Sequence, residues 1–286
     1  MTTTLREKIS DMGRRLKEVE KLLLGYENIK KNNDINDFYK LRYYLEKLEN
    51  VQTNGVQTET NENLLEFIEN EKKFLLEIRQ KFISNFWASL DSSLMERKLK
   101  LEGQFPEFHV KFFTIKADKD LKKVKLWYGT DEVLLHSLKE PIPRKLAALI
   151  FKELERITKI RFDSNKFLSL IRQAYDKSIK CIGISDGDLV SIPTILKEIN
   201  VLNQEKSFWA NPNKERFRVY TREEFSFDLS TLYSSSKSID NKVLQLSIAT
   251  RNQSKQAMDY IWIPECNSES FRGTVYSNLS FREVKE

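Results

Sequence analysis

The chain contains two histidines and two cysteines, the residue types that most often act as bases, nucleophiles or metal ligands. His109 and His136 lie in separate predicted strands, and Cys181 and Cys266 are far apart in the sequence. None of these residues has the spacing of a zinc site or of a known nucleophile motif. The sequence therefore predicts no catalytic residue, no metal site and no cofactor. Both cysteines are expected to be reduced, partly buried thiols.

Acidic residues offer a second kind of chemistry, because a metal-dependent nuclease needs little more than carboxylates and a lysine. A common arrangement places an acid on one strand and Glu-x-Lys on the next. Glu107 with Lys111, and Asp131 with Glu132, come nearest to this pattern. The first pair has the wrong spacing and the second lacks its lysine. We interpret them as solvent-facing charges, and a divergent metal-dependent nuclease stays open as an alternative.

Clustered lysines give a better-supported candidate site. The formal charge of +6 permits a polyanionic partner without demanding one. Several lysines lie along the first predicted β-hairpin, close enough to one another to contact the phosphates of a DNA backbone together. They are Lys111, Lys116, Lys119, Lys122, Lys123 and Lys125. The alternative is that these lysines keep an edge strand from pairing with other chains.

Apolar side chains recur at helical spacing through the first hundred residues. Steps of four and three, typical of a coiled-coil seam, connect Leu5, Ile9, Met12, Leu16, Val19 and Leu23. A second, longer helix has a broad apolar face that includes Phe67, Phe74, Ile78 and Phe82. Apolar surfaces of this width promote association when they stay in water. These residues are therefore the predicted partner-binding set.

The order of the patterns predicts an α+β fold in three regions. Residues 1–104 form a region of long helices, either a coiled coil or a helical hairpin. Residues 105–160 form a small α+β unit, in which a three-stranded antiparallel meander precedes a helix. Residues 161–286 form a C-terminal α+β region with the helix–helix–hairpin order of a winged-helix module. Alternating patterns predict strands at 108–115, 122–128, 132–138 and 217–220.

This order of a helical N-terminus, a small α+β body and a winged-helix-like tail, without ATPase motifs, resembles the accessory subunits of bacterial SMC-type complexes. Those complexes organise chromosomes or defend the cell against phages and plasmids. The resemblance is one of architecture and carries over no functional residue. It implies a cytoplasmic complex that acts on foreign DNA, with catalysis in another subunit.

The chain is therefore expected to be a non-catalytic adaptor that binds other protein subunits through its N-terminal helices. A protein that binds nucleic acid directly through the lysine-rich hairpin is the alternative. No apolar run reaches the roughly 20 residues that a bilayer span requires, so no membrane partner is expected.

Overall fold

The computed structural model divides into two compact units, residues 1–90 and 91–286. Its N-terminal helices and antiparallel sheets confirm the predicted α+β class. The sequence predicts three regions, whereas the structure has two units, because residues 105–160 and 161–286 belong to the same unit. The residues that the structure describes are 2–32, 34, 37–52, 59–234, 238–239, 241–253, 256, 258–265, 268 and 270–283.

Three helices begin the chain, namely α1 (Thr2–Lys31), α2 (Phe38–Gln52) and α3 (Glu59–Met95). Their apolar residues recur at intervals of three and four, which places them on one face of each helix. Within the described ranges, every helix of the chain is too short or too polar to span a bilayer.

Contacts between α1 and α3 fix how the two helices run. The Nζ of Lys30 lies 2.6 Å from the carboxylate of Glu71, and the rings of Tyr26 and Phe67 meet edge to face at 5.9 Å. Both pairs are separated by 41 residues in the sequence. A constant separation means that α1 and α3 run in the same direction.

Contacts between α2 and α3 show the opposite relation. The ring of Phe38 stacks on that of Phe82 at 4.9 Å, whereas Lys72 binds Glu49 at 2.6 Å near the other end of α2. Residue numbers rise along one helix as they fall along the other, so α2 is antiparallel to α3. The arrangement is an up-down-up bundle. Its buried core includes Tyr26, Phe38, Leu41, Leu45, Leu48, Ile68, Leu75 and Phe82.

The first half of α1 extends beyond this bundle. Gly25 faces the ring of Tyr44, which lies so close that an added Cβ would be 2.4 Å from it. Helix α2 runs antiparallel to α1 and ends at Gln52, eight residues after Tyr44. Its end is therefore level with a point eight residues before Gly25, at about residue 17 of α1. Helix α3 lies beside α1 with the offset of 41 residues given above, so its first residue, Glu59, is level with about residue 18 of α1. Residues 2–16, which we name the α1 arm, thus reach about 22 Å past both neighbours at 1.5 Å per residue.

The second unit opens with a five-stranded antiparallel meander, whose strands follow one another in chain order. The strands are β1 (Glu102–Gln104), β2 (Glu107–Val110), β3 (Phe113–Ala117), β4 (Lys123–Tyr128) and β5 (Val133–Lys139). The single strand predicted at 108–115 is wrong, because the chain turns at Lys111, where φ is 53°. This left-handed conformation ends β2 and starts β3. Helix α4 (Pro143–Thr158) follows the sheet.

A second antiparallel sheet completes the unit, with the order β6–β10–β8–β7 and β9 beside β10. Strand β6, which lies between two helices in the chain, therefore pairs with the last strand. A winged-helix identity stays a prediction. The elements are α5 (Ser164–Ile182), β6 (Val190–Ser191), α6 (Ile192–Leu202), α7 (Lys206–Ala210), α8 (Arg222–Ser234), β7 (Ser238–Ile239), β8 (Lys242–Ile248), β9 (Ile261–Pro264) and β10 (Gly273–Glu283).

The strand predicted at 217–220 is also wrong, and the reason is visible in its hydrogen bonds. The backbone N–H of Tyr220 donates to Oδ1 of Asn200 at 2.8 Å, and that of Arg218 donates to Oε1 of Gln204 at 2.9 Å. The same two amide side chains donate back to the carbonyls of this segment. Asn200 on α6 and Gln204 just after the end of α6 thus take the place of a neighbouring strand.

Candidate functional site

The α1 arm carries an open apolar stripe. Ile9 is 63% exposed, Met12 37% and Leu16 52%, whereas Tyr26 in the covered half of the same helix is fully buried. The three residues follow one another at intervals of three and four, so they lie on one side of the helix. Apolar residues in such a row form a surface that a second helix can cover.

The other predicted partner-binding residues have different surroundings. Val19 and Leu23 are half-buried where α2 and α3 begin to flank α1. On α3, Phe67, Phe74 and Ile78 are half-buried. Phe82 is only 5% exposed because Phe38 covers its ring, so it offers no surface to another chain. The side chain of Leu5 lies outside the described residues.

The six predicted DNA-binding lysines do not lie on one surface. Lys111 is exposed in the turn between β2 and β3, and Lys119 and Lys122 are exposed in the connection between β3 and β4. Lys116, Lys123 and Lys125 belong to strands and point to the same side of the sheet, opposite the buried apolar residues of β3 and β4. The sheet thus brings together three of the six lysines.

Two pairs of lysines face each other across neighbouring strands on that side. Lys116 is the direct neighbour of Lys125, and Lys123 is the direct neighbour of Lys139. Like charges directly opposite each other destabilise a sheet. Sequence reasoning missed Lys139, which contributes half of the second pair. We name Lys116, Lys123, Lys125 and Lys139 the lysine face.

Carboxylates neutralise only one member of the lysine face among the described side chains. Lys116 lies 2.6 Å from Asp131 and 3.2 Å from Glu107. Burial lowers the pKa of Lys116, but these two carboxylates outweigh it and leave that pKa above its usual value. Lys125 lies over the ring of Trp127, with its Nζ 5.7 Å from the centroid.

Those contacts also account for the acids that suggested a nuclease. Glu107 and Asp131 bind Lys116, and Glu132 accepts hydrogen bonds from Thr130 and from the backbone N–H of Asp131. Lys111, the lysine considered with Glu107, lies in the β2–β3 turn. Across the described residues, no three acidic, histidine or cysteine side chains are placed to hold one metal ion.

The two histidines have different neighbours in the structure. His109 stacks on Phe271 at 4.2 Å, and burial lowers its pKa. His136 contacts Oε1 of Glu153 at 2.8 Å. Cys181 is exposed rather than partly buried, and Cys266 lies outside the described residues. Nothing in these contacts pairs a thiol with an imidazole.

A network of buried and half-buried charges joins α4 to α8. Arg156 donates to Glu153 at 2.8 Å, to Glu223 at 2.6 Å and to Glu224 at 3.1 Å. Arg161 lies 2.9 Å from the same Glu224. We name the whole set the α4–α8 ion network. It consists of Glu153, Arg156, Arg161, Glu223, Glu224 and Asp228.

The carboxylates of this network differ in their affinity for protons. Burial raises the pKa of Glu153, but hydrogen bonds from Arg156 and His136 outweigh it and leave that pKa below the usual range. Asp228 behaves in the opposite way. Burial raises the pKa of Asp228 to about 6, although Tyr220 donates to its Oδ2 at 2.5 Å and Arg161 lies 3.5 Å away.

A cavity of about 620 Å³ opens between α8 and the second sheet. Its charged lining residues among those described are Glu265 and Arg272. Hydroxyl groups provide most of the remaining polar lining, from Ser230, Tyr233, Ser234, Ser268, Ser270, Thr274 and Tyr276. Glu265 is the one carboxylate among the described lining residues, whereas the paired acids of a hydrolase or the acidic cluster of a metal site need at least two.

Comparisons with protein-family models, with curated proteins and with solved structures find no match for this chain.

Proposed function

We propose that the chain is a non-catalytic adaptor that binds a helix of another protein subunit through the α1 arm. The observation that carries the proposal is the exposure of Ile9, Met12 and Leu16 on one side of a helix that extends past its neighbours. Covering such a stripe contributes about 25 cal/mol for each Å² of apolar surface removed from water. On α3 the predicted residues Phe67, Phe74 and Ile78 are already half-buried within the bundle, whereas the stripe of the arm lies past the ends of its neighbours.

The wider setting of the proposal is a cytoplasmic bacterial complex that acts on DNA, such as an SMC-type defence complex. Its support is the order of the elements, with long helices before an α+β body. The coiled-coil character of α1 and the winged-helix-like character of the second sheet belong to the same proposal. In that setting another subunit performs the catalysis, and this chain holds partners together.

The double variant Ile9→Glu/Leu16→Glu is expected to lose partner binding without losing stability. Both side chains are mostly exposed, so the folded chain loses less than about 0.5 kcal/mol of unfolding free energy. A carboxylate buried in a helix–helix seam is strongly unfavourable. Affinity purification from the organism that makes the chain, followed by mass spectrometry, measures binding, and urea denaturation measures stability.

Ser10→Glu/Arg14→Gln is the matched control. It lowers the net charge by the same two units, but at exposed positions outside the seam. The proposal requires this control to keep the partners that the seam variant loses. It is contradicted if the seam variant recovers the same partners as the unmodified chain, or if the unmodified chain sediments as a monomer and recovers none.

Direct binding of nucleic acid is a second candidate function, and the two opposed lysine pairs favour it. A polyanion lying across Lys123 and Lys139 relieves the repulsion between them. The phosphates of DNA supply such charge, and each contact makes binding weaker as salt rises. The competing interpretation is edge protection, because Lys139 lies on β5, an edge strand of its sheet.

Lys123→Glu/Lys139→Glu is expected to weaken the binding of a fluorescent DNA duplex by at least about tenfold, and to reduce the salt slope by about two. Fluorescence anisotropy over a series of salt concentrations measures both. Lys180→Glu/Lys206→Glu reverses two exposed lysines elsewhere and serves as the control. Equal DNA affinity in both variants, with self-association only in the first, favours edge protection and contradicts this function.

A further inference from the structure

We infer that the helix that binds the α1 arm carries acidic residues beside its apolar seam. This inference rests on the proposed docking function and adds the chemistry of the partner. Ile9, Met12 and Leu16 are exposed, so a helix that covers them also meets the side chains next to the stripe, and those side chains determine which helices bind.

Most positions next to the stripe are cationic. With Ile9 and Leu16 at position a of the heptad and Met12 at d, the e and g positions fall on Arg6, Lys8, Gly13 and Arg15. Three of these four positions are cationic and the other is glycine. Residues of partner helices that lie opposite e and g contact these side chains directly.

The other charged residues of the arm also favour an acidic partner. Residues 6–17 contain five lysines and arginines but only two acids, Glu7 and Asp11. Asp11 already binds Arg14 and Arg15 of its own helix, at 2.5 Å and 2.9 Å. Farther along α1, in the half that α2 and α3 flank, the e positions become acidic at Glu20 and Glu27. Cationic flanks are thus confined to the arm.

A second copy of this chain is a poor occupant of the arm. An antiparallel copy would place e positions beside e and g beside g, which brings like charges together. A parallel copy would pair g with e of the next heptad, so Lys8 would meet Gly13 and Arg15 would meet Glu20. The one favourable pair then lies outside the arm, where α2 and α3 already flank the helix.

DNA is a poor occupant as well. Phosphates complement Arg6, Lys8 and Arg15, but they offer nothing to Ile9, Met12 and Leu16. Covering an apolar stripe requires apolar side chains. A helix with an apolar seam and acidic flanks satisfies both kinds of residue at once.

Synthetic helices test the inference on the full chain. Two fluorescent peptides of three heptads share Ile at a and Leu at d, and they carry only Glu or only Lys at e and g. Each repels its own copies, so both stay available for binding. We expect the Glu peptide to bind about tenfold more tightly than the Lys peptide at low salt. This preference should shrink at about 0.5 M salt.

Three variants separate the possible outcomes. Arg6→Glu/Lys8→Glu/Arg15→Glu should reverse the preference between the peptides, and Ile9→Glu/Leu16→Glu should remove binding of both. Equal binding of the two peptides that still requires Ile9 and Leu16 overturns the inference and leaves the docking function standing. Peptide binding that does not require Ile9 and Leu16, displacement of the Glu peptide by duplex DNA, or self-association of the chain through the arm overturns the inference together with the docking function.

Discussion

Replacing Arg156 with methionine should lower the free energy of unfolding by about 3–5 kcal/mol. Arg156 binds Glu153, Glu223 and Glu224, all of which are buried. Removing one partner from a buried ion pair leaves the other charge in a poorly solvated place, and here three carboxylates lose a donor together. Methionine retains much of the length and apolar stem of arginine, so the loss reports the charge rather than the packing.

Urea denaturation of the full chain near neutral pH measures this effect, with Arg218→Met as the control. Arg218 binds Glu205 at 2.7 Å, but both side chains are more than half exposed, so its replacement costs less than about 0.5 kcal/mol. Adding Glu223→Gln to Arg156→Met should recover part of the loss, since Glu223 then no longer carries a buried charge. A loss below about 1 kcal/mol for Arg156→Met would show that the buried carboxylates find other compensation.

The second large effect depends on pH. We expect Asp228→Asn to become more stable relative to the unmodified chain as the pH rises from about 4 to about 7, by on the order of 2 kcal/mol. In the folded chain Asp228 has a pKa of about 6, whereas an unfolded aspartate has one of about 3.9. Between these values the folded state holds a proton that the unfolded state has lost. The stability of the unmodified chain therefore falls as pH rises through this window, and asparagine removes that dependence.

Asp186→Asn provides a control with the opposite sign. Hydrogen bonds from Arg172 and Lys242 lower the pKa of Asp186. Its carboxylate therefore stabilises the fold above the ordinary pKa of aspartate, and this contribution is lost as pH falls below that value and through the lowered pKa of the folded state. Urea denaturation at several pH values should give difference curves that slope in opposite directions for the two variants. A flat difference curve for Asp228→Asn would contradict the account of its burial.

Hydrophobic periodicity was sufficient to locate the two longest helices of the first unit. The predicted helix that carries Ile9 and Leu16 corresponds to α1, and the predicted longer helix that carries Phe67 and Phe82 corresponds to α3. Periodicity does not determine which helix covers which. Leu16 and Phe82 both occupy apolar positions at helical spacing, yet Phe38 covers Phe82, whereas Leu16 lies past the end of α2. The lengths and the register of the neighbouring helices separate the two cases, and neither can be derived from one helix alone.

Strand prediction failed where the backbone had unusual partners or an unusual conformation. Phe108, Val110 and Phe112 alternate with polar residues through Lys111, although a positive φ at Lys111 reverses the chain. The segment 217–220 alternates like a strand, but Asn200 and Gln204 satisfy its backbone groups instead of another strand. Lys139 was missed for a related reason. Its position opposite Lys123 depends on the register of β4 and β5, which includes an irregularity between Leu126 and Trp127.

The α1 arm continues a helix whose other half is held by two neighbours. Starting a helix is the costly step, and extending an existing one is much easier, so the covered half serves as a nucleus from which the arm propagates. A separate peptide of about 15 residues that contains Gly13 has only marginal helicity in water. The free-energy difference between the helical and the unfolded form of the arm is therefore small. A ligand that binds only the helical form shifts this equilibrium towards the helix by mass action. Slowed amide exchange in residues 2–16 would report occupancy of the arm before the identity of the ligand is known.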